Sequence, residues 1–324
     1  MKREQTLRRK LESLRVLGEA VNAMKSLSAH HLRAARAGLT AARAYRDGID
    51  RVIASAGIVQ VGSPAAAPAF LLIAADLGLC NSYNSRVTDT ALEQHRTLSA
   101  RQFYCIGRRP LTILRRVNIE PARVYPTVTS VGGLSRLLLT LADDVLGDYL
   151  TGAFSSLHVV SARFDGVGAF TARTTRVLPV VSTRPVRRAL ATPYADPRHL
   201  ARTAVREYVY STLYELLLDA LASEHGMRLI ATQSAAEWLD GSVKSLQRQL
   251  SSARRESSTQ EVLDVAGSAR QRRRRASAAR MASSGRRDGL VSAVGYRPAD
   301  GRVEVHVWTG TRCSRRSQSS SSFS

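Results

Sequence analysis

Proline is missing from the first 63 residues, and again from residue 198 to residue 297. Nine of the ten prolines fall between Pro64 and Pro197, and the tenth is Pro298. Proline removes a backbone donor and clashes with the preceding helical turn. Both ends of the chain are therefore free to form long helices, and the stretch between them is not. Cysteine is scarce too. Cys80, Cys105 and Cys313 are odd in number and far apart, which points away from a disulfide framework or a cysteine-based zinc site and fits a reducing compartment. Lysine occurs only at positions 2, 10, 25 and 244, although basic residues total 48. That bias reads as GC-rich coding and weakens any step from arginine to nucleic acid. Aromatic residues make up 6%. No apolar run reaches the roughly 18 residues that span a bilayer. The N-terminus is charged and lacks an apolar signal core. These absences predict a cytoplasmic protein, or one peripheral to a membrane complex.

Alanine, leucine and arginine dominate the remainder, which favours helix. The net charge is +22, and it is unevenly placed: +7 over 1–57, −3 over 211–268 and +10 over 269–324. From Leu7 the apolar residues run Leu7, Leu11, Leu14, Leu17, Val21, Met24 and Leu27, with spacings of three and four. That spacing predicts a coiled-coil seam on a helix continuing to about residue 56. A second helix is expected over 198–268, with Leu213, Leu217, Leu221, Met227, Ile230, Ala235, Trp238, Leu246, Leu250 and Ala253 on its apolar face. A basic first helix and a mildly acidic last one suit antiparallel pairing, although exposed ion pairs contribute only about 0–1 kcal/mol each.

The middle, 66–190, reads as a small α/β domain. Ala69–Ala75 is a continuous apolar run, read as a buried strand. Further strands are expected at Gln102–Ile106, Ser156–Arg163 and Phe170–Val181, with helices at Val87–Ser99, Leu111–Val117 and Leu134–Leu150. Strands separated by helices imply a largely parallel sheet of Rossmann-like kind. Asp76-Leu77-Gly78 after the first strand looks like the start of a nucleotide-binding turn. No G-x-G-x-x-G and no G-x-x-x-x-G-K-[ST] accompanies it, and such a turn alone is weak. Asp76 is read as a turn or capping residue. Adjacent His30 and His31 point about 100° apart on a helix, which suits surface or seam positions better than a shared metal.

Four motifs, in order, carry a family resemblance. They are Ala23-Met24-Lys25 within NAMKSLSAHHLRAAR, Asp76-Leu77-Gly78-Leu79-Cys80 with Asn84, Ala222-Ser223-Glu224-His225, and Arg254 with Thr259-Gln260-Glu261. With the helix–α/β–helix layout over residues 1–268, the chain resembles the gamma subunit of F-type ATP synthases. It departs from that pattern at Asn81 and Ser82, where the family usually has two glycines. It departs again at Arg255 for Gln and at Ser258 for an apolar residue. These departures suit a divergent branch, such as an alternative ATPase kept beside a main one.

The resemblance implies a rotor subunit of a proton- or sodium-translocating enzyme, with no catalytic, cofactor or metal residues of its own. Its paired helices would form a shaft within a hexamer of alpha and beta subunits. Its α/β domain would face the epsilon subunit and the c-ring, peripheral to the cytoplasmic side of a bacterial inner membrane. Met24 and Lys25 would meet moving beta-subunit loops, and Arg254, Thr259, Gln260 and Glu261 would form a second contact set. From the residues alone, Met24 is equally a seam residue, whereas a solvated helix face is the lesser reading of the second set. No specific nucleic acid is expected. The competing reading, a coiled-coil protein associated with nucleic acid, draws on the charge of +22.

Residues 269–324 fall outside the resemblance. Arg272–Arg275 opens a basic tail, Val303–Val307 alternates like a strand, and the end is serine-rich. Three readings stay open: a disordered basic arm, an ordered extension of the helix, and a shifted reading frame, the last slightly favoured.

Overall fold

The computed structural model describes residues 2–55, 67–98, 102–180 and 196–284. The alternating segment at Val303–Val307 lies outside them. The chain divides into two compact units, Met1–Ser257 and Ser258–Ser324.

The first helix, α1, runs Lys2–Ser55 without a break. Its 54 residues give it a length of about 80 Å at 1.5 Å per residue. The last helix, α5, runs Pro197–Ser284. Its start is set locally, because the Asp196 carboxylate accepts the His199 N–H at 3.2 Å and Pro197 takes the first helical position. Aspartate before proline is a strong start signal, since proline lacks a donor that would go unsatisfied there. Within the first unit the two helices are antiparallel. Arg3 pairs with Glu256 at 3.6 Å, Glu4 with Arg254 at 3.1 Å, and Tyr45 donates to Glu207 at 3.1 Å. Numbers rise along α1 as they fall along α5.

The seam differs in detail from the expected one. Leu17 and Leu27 are about half exposed. One line of covered positions on α1 runs Leu7, Leu11, Leu14, Gly18, Val21, Lys25, Ser28, Leu32, Ala35, Leu39, Ala42, Arg46, Ile49 and Ile53, with Met24, His31, Asp50 and Ala54 among the covered residues beside it. That line alternates strictly by four and three, which is the heptad period of a helix that stays against its partner. Following the larger side chains instead drifts off that period. On α5 the same correction applies. Trp238 is 65% exposed and Ile230 is 39% exposed, whereas Leu239 is 3% exposed.

Between the helices in sequence lie β1 (Ala69–Ile73), α2 (Tyr83–Leu98), β2 (Gln102–Ile106), α3 (Leu111–Arg116), β3 (Arg123–Tyr125), α4 (Val131–Leu150), β4 (Leu157–Gly166) and β5 (Ala169–Leu178). The sheet order is β3-β2-β1-β4-β5. β1 pairs in parallel with β2 and β4, and β2 with β3, while β4 and β5 form an antiparallel hairpin. Every residue of β1 is buried, as a central parallel strand covered on both faces requires. One face packs under α2 and α3, with Phe70, Leu72, Val87, Phe103 and Val160 in its core. The other packs under α4, α1 and α5, with Leu71, Ile73, Leu141, Val159, Leu213 and Leu217. α4 buries Leu134, Leu137, Leu138, Leu141, Ala142 and Val145, the stripe of an amphipathic helix.

The sequence reading did not anticipate β3, which has only three residues. Helix α5 runs on through residue 268 to Ser284. Between Ser268 and Ser284 there is no Gly or Pro, and Arg and Ala predominate, both favourable in helices. In the second unit the side chains of 258–281 are exposed on every side, including Arg270, Arg272–Arg275 and Arg280.

Candidate functional site

Three of the four motifs meet in one buried polar node. It lies beyond the carboxyl ends of the parallel strands, where α5 crosses the turn after β1. From α5 come Glu224 and Arg228, whose side chains are 5% and 3% exposed and whose Oε1 and Nη2 stand 2.6 Å apart. The i, i+4 spacing puts them on one helix face. Arg228 Nε donates to the Gly78 carbonyl at 3.3 Å, which ties α5 to the Asp76–Cys80 turn. His225 Nε2 is 3.1 Å from the Thr129 carbonyl, and the His225 ring lies 5.0 Å from that of His31 on α1. Burial, then the Arg228 guanidinium, pushes the His225 pKa down to about 4. Burial also lowers His31. Glu224 is raised, since burial outweighs its arginine partner.

The turn itself is held from the strand side. Asp76 accepts the Arg108 N–H at 2.7 Å and the Thr127 N–H at 3.1 Å, so one carboxylate fixes the loops after β2 and β3. Asn84 Oδ1 accepts the Ala75 N–H at 2.9 Å. Gly107, in the loop after β2, has φ +96°, and a Cβ there would stand 2.5 Å from the Ala74 carbonyl oxygen. Only glycine allows that approach. Asn81 has φ +48°, the left-handed region that asparagine tolerates better than most residues. The departure from glycine at Asn81 therefore keeps a glycine-like backbone.

This arrangement is structural rather than catalytic. In open sheets of this strand order, ligands enter the crevice outside the carboxyl ends of the strands at the β1/β4 switch point. Here α5 occupies it. A void of about 20 Å³ remains, lined by Ile73, Ala74, Thr127 and Glu224 among others, which is room for about one water. Among the described residues no group of three or more His, Cys, Asp or Glu side chains could hold a metal. Cys80 and Cys105 are free and buried, and burial pushes the Cys105 thiol up to about 12.

The remaining motif residues are on helix surfaces. Met24 and Lys25 are half-buried on α1, with Lys25 at a seam position. Arg254 is exposed and donates from Nε to Glu4 Oε1 at 3.1 Å. Its hydrogen bond, followed by that from Arg8, lowers the Glu4 pKa. Glu4 and Met24 are twenty residues apart on α1, so the two stations are about 30 Å apart along the helix. In the second unit, Thr259, Gln260 and Glu261 are exposed, and Gln260 donates to Asp264 at 3.0 Å.

A family profile described as ATP synthase matches residues 3–270. The chain belongs to the ATP synthase gamma-chain family. The ATP synthase gamma chain of Moorella thermoacetica is 28% identical over 281 residues, covering 81% of this chain and 96% of the relative. That of Clostridium acetobutylicum is 23% identical, with the same coverage. The fold resembles a chain of the Euglena gracilis mitochondrial ATP synthase, in a structure of OSCP, F1 and c-ring. The TM-score is 0.58 at 12% identity, covering 91% of this chain and 99% of that one. A chain of the Tetrahymena thermophila central stalk and c-ring gives a TM-score of 0.51 at 17% identity, covering 67% and 99%. This chain is a gamma subunit of an ATP synthase, a non-catalytic part of that enzyme. Among the described residues no helix is long and apolar enough to cross a membrane.

Proposed function

We propose that the paired helices turn inside a hexamer of alpha and beta subunits, while the sheet domain faces the epsilon subunit and the c-ring. The work divides by segment. Residues 1–57 and 198–268 form the shaft, 66–190 the domain that receives torque, and 269–324 an appended basic tail. The complex lies on the cytoplasmic side of a bacterial inner membrane. Ion flow turns the ring, and the asymmetric shaft biases each beta subunit in turn between states of different nucleotide affinity.

The observation that carries this reading is the family match over 3–270, on a chain whose terminal helices pair antiparallel through Glu4–Arg254. Met24, Lys25, Arg254, Thr259, Gln260 and Glu261 are the proposed contacts with the beta subunits. Supporting that assignment, Val16, Leu17, Leu27 and Trp238 are large apolar residues left 49–65% exposed, on helix faces turned away from the seam. Surrounding subunits would cover them. Exposed charge at Arg254 and Glu261 gives weak, screened attraction that permits sliding.

Charge reversal tests the contact set. In the assembled complex, Arg254→Glu and Glu261→Arg should lower ATP-driven ion pumping while leaving assembly and melting temperature near those of the parent. Full pumping in both variants removes these residues from the interface. The isolated chain should hydrolyse no ATP.

A further inference from the structure

We propose that Asp219, with Arg43, is a torsional key: a positioning pair that prevents the paired helices from turning against the sheet domain. The inference rests on the central-stalk role and names residues on which that role depends. The Asp219 side chain is fully buried, and Oδ1 accepts from Arg43 Nη2 of α1 at 2.8 Å. The same oxygen accepts the Phe164 N–H of β4 at 3.3 Å. Oδ2 lies 3.9 Å from Arg173 Nη2 of β5. One carboxylate on α5 thus touches the other helix and both strands of the hairpin. One turn earlier, Glu215 faces Arg43 at 3.6 Å and Arg46 at 2.7 Å.

The apolar seam cannot do this work. At the same level α1 presents Ala35, Leu39 and Ala42. Hydrophobic attraction is non-directional, so it resists separation of the helices better than it resists slippage. Charge-assisted hydrogen bonds to a guanidinium fork fix direction as well as distance. Nor is stability a sufficient reason for the cluster. Apolar residues of similar volume commonly replace a buried ion pair at no loss, or with a gain. This cluster is also incompletely satisfied, since Asp219 Oδ2 and Arg173 Nε are buried without a hydrogen-bond partner. What the ions supply is a fixed register between α1, α5 and the sheet.

The test uses the assembled complex carrying Arg43→Met with Asp219→Leu. Two quantities are read: ions pumped per ATP hydrolysed, and melting temperature. The expected result is a ratio reduced by more than half with an unchanged or raised melting temperature. An unchanged ratio overturns the key. So does a ratio that falls only in step with a lowered melting temperature, because that is loss of packing. Should the double variant not assemble, Arg43→Lys, which keeps the charge beside Asp219 but removes the guanidinium fork, is judged by the same two readings. The parent complex separates this idea from the stalk role itself: ATP hydrolysis without pumping in the parent would count against the stalk.

Discussion

Burial, and then the Arg228 guanidinium, hold the His225 imidazole pKa well below its ordinary range. Its ring faces Arg228 on its own helix, His31 on α1 and the Thr129 carbonyl. Its pKa of about 4 in the folded state compares with about 6.5 in an unfolded chain. Between those values the unfolded chain binds a proton that the folded one does not. Stability therefore falls as pH drops through that window, by about 3 kcal/mol in all. Glu224 acts in the opposite sense, because its raised pKa lets the folded state take up a proton early. The comparison that isolates His225 is with His225→Gln. Between pH 6.5 and pH 4 the parent should lose about 3 kcal/mol relative to that variant in urea unfolding. A difference that does not change with pH would sink the assignment. The sequence marked His225 within a motif, but nothing in it showed that Gly78, Thr129 and His31 would converge there. That convergence comes from long-range topology, which spacing along the chain does not encode.

Elements were legible where composition is strongly biased. The proline-free ends, the buried run of β1 and the leucine stripe of α4 each carry a period or a run that only one structure satisfies. Two features were hidden. β3 has three residues and only Tyr125 buried, too little to form a pattern. The seam of α1 was misread at Leu17 and Leu27 because its true members there are Gly18 and Ser28, which carry no hydrophobic signal. The same logic separates neighbours on α5. Leu239→Ala should cost about 2–5 kcal/mol by opening a cavity in the seam. Trp238→Ala should leave thermal unfolding of the chain nearly unchanged, despite removing the larger side chain. Equal losses at the two positions would mean that the helices pair in another register.

At the scale of the whole molecule the unexplained quantity is charge. The family match ends at residue 270, and residues 269–324 carry +10 of the net +22. Arg270, Arg272–Arg275 and Arg280 are all exposed on helix α5. Steps of 100° per residue spread the four consecutive arginines around the whole helix. That leaves no apolar face for a membrane surface, and no aromatic residue occurs between 258 and 284 on which bases could stack. Such a segment offers sequence-independent phosphate contacts only. The full chain is therefore expected to bind duplex DNA weakly, with a log–log salt slope of about −5 if six arginines each displace a counterion. A chain ending after Gly267 should lose most of that affinity, and in the assembled complex it should pump ions per ATP as the full chain does. The competing coiled-coil reading makes the opposite forecast. If DNA affinity and slope persist after truncation, the basic face of α1, with +7 over residues 1–57, is the binding surface. If pumping collapses as well, the appended helix belongs to the coupling machinery rather than lying outside it.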